Sequence, residues 1–110
     1  MTISARRKGK DGELEIAEFL RERGFPHARR GQQFSGLGDS PDVVGVPGVH
    51  IEVKRVEKGN LYDWMAQAKR DAKAGNIPVV MHRRSRQEWV AILPLDEFLK
   101  MVRAVEGRLW

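Results

Sequence analysis

The sequence predicts an α/β protein built on one mixed β-sheet flanked by helices. Apolar residues recur at helical spacing in some segments, and short β-prone runs lie between them. Read in order, the segments run α, β, β, β, α, β, β, α. The 110 residues suffice for one domain with one modest core. Hydrophobic residues make up 41% of the chain, which favours a folded globule over disorder.

Residues 1–10 read as a flexible basic arm, and residues 11–110 as the folded domain. Residues 11–23 read as a helix, with Leu14, Ile16, Ala17, Phe19 and Leu20 at helical spacing and Gly24 closing it. Residues 25–30 read as a short first strand. Residues 31–40 (GQQFSGLGDS) are a glycine-rich loop. Asp42 to Val46 and Val49 to Val56 are β runs joined at Pro47-Gly48, a hairpin with two open registers. A two-residue loop puts Val43 opposite Glu52. A three-residue loop, Val46-Pro47-Gly48, puts Asp42 there instead.

Residues 61–74 read as a helix with Leu61, Trp64, Met65, Ala68 and Ala72 inward, closed by Gly75-Asn76. Ile77 to His82 and Trp89 to Leu93 are further strands. Pro94 opens a last helix, about 95–105, with the stripe Leu95, Phe98, Leu99 and Val102.

Composition narrows the function. The net charge is +5 and the pI about 10.0, which points to a polyanionic partner. The basic residues are clustered: Arg6, Arg7, Lys8 and Lys10; Arg29 and Arg30; His82, Arg83, Arg84 and Arg86. Arg6, Arg7, Lys8, Lys10, Arg29, Arg30, Arg55, Lys58, Arg83 and Arg84 are the candidate DNA contacts. There is no cysteine, so disulfides and thiolate zinc sites are excluded. No apolar run approaches a membrane span and no signal-peptide segment opens the chain. A soluble cytoplasmic protein of a prokaryotic cell or phage-infected host is expected.

Candidate chemistry centres on Asp42, Glu52 and Lys54. Residues 52 and 54 point to one face of their strand, while Ile51 and Val53 point to the other. Two carboxylates beside a lysine make a hard oxygen site for Mg²⁺ next to a fixed positive charge, suited to attack on a phosphodiester. Glu13 shares its helix face with Ile16, Ala17 and Leu20, where a carboxylate needs a partner. Glu15 and Glu18 read as solvated acids. His50 shares the face of Glu52 and Lys54 and reads as a neutral surface histidine, although support of the site is conceivable.

Pro41-Asp42, Glu52-x-Lys54 and a preceding helical Glu13 resemble the PD-(D/E)xK nuclease superfamily. The segment Lys8-Gly9-Lys10-Asp11-Gly12-Glu13, the Ser35-Gly36 loop and Gln67 on the following helix are similar to the archaeal-type Holliday junction resolvases and their phage relatives. The likeness spans roughly residues 5–93. It implies a restriction-endonuclease-like fold. It also implies a Mg²⁺ site (Mn²⁺ substituting) held by Asp42, Glu52 and the Val53 carbonyl, with Glu13 binding directly or through water. Lys54 would orient water or stabilise the pentavalent phosphate, Ser35 would sit near the scissile phosphate, and Gln67 would support the site. The implied substrate is a four-way DNA junction, cut by paired nicks from a homodimer. Leu61, Tyr62, Trp64, Phe98, Leu109 and Trp110 are the surplus apolar residues for its interface. A less selective nicking or restriction-type nuclease and a non-catalytic DNA-binding protein are the alternatives.

Overall fold

A computed structural model describes residues 3–31 and 40–109, with side chains described within 8–31 and 40–106. The element order is the expected one: α1 Ile3–Glu22, β1 Arg29–Arg30, β2 Val43–Val44, β3 Val49–Lys54, α2 Leu61–Asp71, β4 Ile77–His82, β5 Val90–Ile92 and α3 Leu95–Leu109. The strands form one sheet in the order β1-β2-β3-β4-β5. Neighbours are antiparallel except β3 and β4, which are parallel. Parallel neighbours need a crossover, and α2 provides it. Among the described residues no helix is long and apolar enough to cross a membrane.

The first helix corrects an expectation. It starts at Ile3, so residues 3–10 are helical and not an arm. Its C-terminal end is where glycine placed it. Gly24 has φ +102, the Phe25 N–H bonds back to the Leu20 carbonyl at 3.1 Å, and the Gly24 N–H bonds to Arg21, the paired bonds of a Schellman ending. The expected strand at 25–30 shrinks to Arg29–Arg30, because Phe25 to Ala28 close a turn instead (Ala28 N–H to Phe25 carbonyl, 3.0 Å).

The hairpin takes the three-residue loop. Val43 pairs with Ile51, which puts Asp42 opposite Glu52, and the Asp42 N–H donates to the Ile51 carbonyl at 2.8 Å. Gly48 has φ +77, the left-handed conformation this loop needs and an L side chain resists.

Ile16, Ala17 and Leu20 of α1 pack with Ala28, Val43, Ile51 and Val53 into the main core. On α2 only Ala68 is fully buried; Leu61 and Tyr62, the first two residues of the helix, stay in solvent. The start of α2 is capped by Asn60, whose side chain accepts from the Tyr62 and Asp63 N–H groups. The α3 stripe was expected to face a core. Instead Leu95, Phe98, Leu99, Met101, Val102 and Val105 are all exposed.

Candidate active site

The hairpin brings two carboxyl groups together. Asp42 accepts a hydrogen bond at Oδ2 from the Val53 N–H, 2.8 Å away, and is hydrogen-bonded to Glu52. Glu52 is only 3% exposed, and its Oε1 lies 2.8 Å from His50 Nε2. Burial in little water disfavours the charged form of both acids. It pushes Asp42 up from 3.8 to about 7, with the Glu52 charge as the next cause. Burial raises Glu52 too, against the pull of the Asp42 hydrogen bond and the Lys54 charge. The metal-free pair therefore holds a proton more tightly than two separate carboxylates would.

Lys54 projects from the same strand face, and its Nζ donates to Gln67 Oε1 on α2 at 3.3 Å. Glu13 arrives from α1. Its carboxylate accepts from Arg30 Nε at 2.6 Å. Burial raises its pKa and the nearby Asp42 adds to this, while the Arg30 bond opposes it. Glu13, Asp42, Val53 and Lys54 line a cavity of about 650 Å³ together with Lys8, Lys10, Arg30 and Arg55. Ser35 lies outside the described residues.

Gly12 allows α1 to come this close. A Cβ there would stand 2.6 Å from Arg55 Cβ and 3.5 Å from a Val53 methyl. In an exposed helix Gly→Ala would stabilise by roughly 1 kcal/mol. Here Gly12→Ala is expected to destabilise by roughly 1–3 kcal/mol through overpacking and to lower any cleavage by moving Glu13. Thermal unfolding checks the sign; a stabilised variant would mean that the helix does not sit tightly on β3.

The basic residues divide by place. Lys8, Lys10, Arg30 and Arg55 reach this cavity. Lys58 and Arg84 line a neighbouring groove with Trp64 and His82. Arg29 donates to the His27 carbonyl, and Arg83 is held by Glu15 at 3.0 Å. Arg6 and Arg7 lie in α1, with their side chains outside those described. Residues that sequence reasoning passed over tie the basic wall together. Glu57 accepts from the Ser85 hydroxyl and N–H, from Lys8 and from Arg55. These bonds, Ser85 first, hold its carboxyl down at about 2.

Two expectations about single residues need correction. His50 is not at the surface; it is 3% exposed and bonded to Glu52. Glu15 is not merely solvated, because it accepts from the Trp89 ring N–H at 2.7 Å as well as from Arg83. Glu15→Gln is therefore expected to cost roughly 0.5–1.5 kcal/mol of stability with cleavage near normal. Glu13→Gln should lower cleavage at least tenfold with little change in melting. Equal, small losses of cleavage in the two variants would leave Glu13 without a catalytic role.

Among the described residues, no cluster of three or more His, Cys, Asp and Glu side chains is poised to hold a metal. Glu13 is drawn to Arg30, which leaves Asp42 and Glu52 as the close pair. That pair still fits a hard divalent cation. Both donors are carboxyl oxygens, and a cation would offset the poor solvation that raises both pKa values.

A hairpin carrying facing acids, with a lysine two residues beyond the second on a mixed sheet, is the core arrangement of a PD-(D/E)xK nuclease. The chain belongs to the family described as phage putative PDDEXK endonuclease, which it matches over residues 4–108. Neither the curated proteins nor the solved structures compared with it give a match.

Proposed function

We propose that the protein is a Mg²⁺-dependent, structure-selective endonuclease that resolves four-way DNA junctions. The observation that carries the nuclease part is the Asp42–Glu52 pair, with Asp42 and Lys54 opening on a cavity walled by Lys8, Lys10, Arg30 and Arg55. Asp42 and Glu52, with the Val53 carbonyl, would hold the ion. When bound, Mg²⁺ supplies a low-pKa water and neutralises phosphate charge. Lys54, held by Gln67 at 3.3 Å, would orient the attacking water or donate to a phosphate oxygen. An incoming phosphate would compete with Glu13 for Arg30 and so free the Glu13 carboxylate for the site. The basic wall tracks the DNA backbone.

Symmetry supports the junction reading. Two opposed cuts need two sites related by two-fold symmetry, and an isologous homodimer supplies them. Helix α3 supports such a dimer. Its apolar residues Leu95, Phe98, Val102 and Val105 are exposed and recur at the three-and-four spacing of a helix–helix seam.

The test is cleavage with Mg²⁺ on a four-way junction, a flap and a linear duplex, alongside sedimentation. Paired symmetric nicks confined to the junction, from a particle of about twice 12.5 kDa, are expected. A monomer making unpaired cuts in all three DNAs would be a less selective nuclease. Binding without any cleavage would leave only a DNA-binding protein.

A further inference from the structure

We propose that His50 is a positioning residue for the cation site: its Nε2–H holds Glu52 Oε1 and so aims the carboxylate at Asp42. The inference rests on the reading of Asp42 and Glu52 as the cation pair. His50 and Glu52 are alternate residues of β3, so both side chains leave the strand on one face. Their side chains are 3% and 4% exposed, and the contact is 2.8 Å. A buried imidazole this close to a buried carboxylate has to be matched as donor to acceptor. With Glu52 ionised, as a cation ligand must be, the proton sits on Nε2. One carboxylate oxygen is then fixed from within the protein, which sets the plane of the group.

The geometry also says why the chain needs such a device. Glu52 stands in the middle of a rigid strand, paired with Val80 in the parallel ladder, but its side chain has torsions of its own. On the opposite strand Asp42 is already held by the Val53 N–H. Without His50, the hydrogen bond to Asp42 would hold Glu52, and a cation shared by the two acids would displace that proton. Groups that hold a ligating side chain are commonly worth 10–100-fold in metal affinity.

The experiment is calorimetric titration of Mn²⁺ into the metal-free full-length protein. His50→Leu fills the space without a donor and should bind Mn²⁺ 10–100-fold more weakly. His50→Gln carries an amide N–H near the Nε2 position and should recover most of the loss. Excess Mn²⁺ should restore cleavage by His50→Leu, because the defect is in affinity. Unchanged Mn²⁺ affinity in His50→Leu overturns the proposal, as does an equal loss in both variants. Should His50→Leu fail to fold, ¹⁵N-histidine NMR of the wild type decides: an Nε2–H tautomer whose signals move with Mg²⁺ supports the role, and an Nδ1–H tautomer overturns it. Glu52→Gln is the control. If it too binds Mn²⁺ normally, the cation-pair reading fails and not the His50 contact.

Discussion

Glu52→Gln is expected to lower cleavage by roughly 10³-fold or more while DNA affinity stays within a few-fold of wild type. The substitution keeps the shape and can keep a contact to His50, but it removes the negative charge that a divalent cation requires. Loss of metal assistance is worth several kcal/mol of transition-state stabilisation, and each 1.36 kcal/mol is tenfold in rate. Asp42→Asn should behave alike. Binding should survive in both, because affinity rests on Lys and Arg contacts to phosphate and neither acid makes them. The measurement is single-turnover cleavage beside a salt titration of binding. Cleavage by Glu52→Gln at a tenth of the wild-type rate or better would remove Glu52 from the site.

The metal-free protein should lose stability as pH rises from about 4 to about 7. Asp42 is the main cause, raised by burial and by Glu52 from 3.8 to about 7. The sign follows from proton binding. In that window the folded chain keeps a proton that the unfolded chain has released, so folding is favoured at the lower pH and the advantage fades as pH climbs. Above about 7 the effect is complete and the curve flattens. At about 1.4 kcal/mol per unit the loss is on the order of 4 kcal/mol at most. Raised Glu13 and Glu52 act in the same direction. Glu57 acts oppositely, since its carboxyl is held down at about 2, but its window lies below about pH 4.5. Melting in EDTA across pH 4–8 checks this. Asp42→Asn should flatten most of the slope and melt higher than wild type at pH 7.5. Mg²⁺ at pH 7.5 should raise the wild-type melting temperature and leave that of Asp42→Asn unchanged. An identical slope in the two proteins would show that Asp42 is not the proton carrier.

The same acids appear in the sequence and in the structure, but with different amounts of information. Asp42, Glu52 and Lys54 were legible because period-two alternation assigns strand faces from local order alone. The element order was legible for the same reason, since apolar spacing and glycine or proline punctuation are local signals. The hairpin register was narrowed to two choices by Pro47-Gly48. Only the pairing of Val43 with Ile51 selected the one that sets Asp42 against Glu52. The start of α1 was hidden. Residues 3–10 have no acid in the first turn and contain Gly9, so local propensity argues against a helix that in the fold lies beside β3, with Gly12 against Arg55.

What the sequence by itself determined was the alternation of helices and strands, the basic character of the surface and the identity of the acids and lysine. What only the tertiary structure decided was their environment. Strand parity placed His50 beside Glu52 but could not bury it. Burial depends on residues far along the chain: Val80 pairs with Glu52 from the neighbouring parallel strand. Glu15 looked like any solvated acid until the fold carried Arg83 and Trp89 to it from 68 and 74 residues away. Helix α3 looked like a core element because an amphipathic stripe says that something must cover it, and not what. Proton affinity and packing are set by which distant groups exclude water from a side chain, and that is a property of the assembled fold.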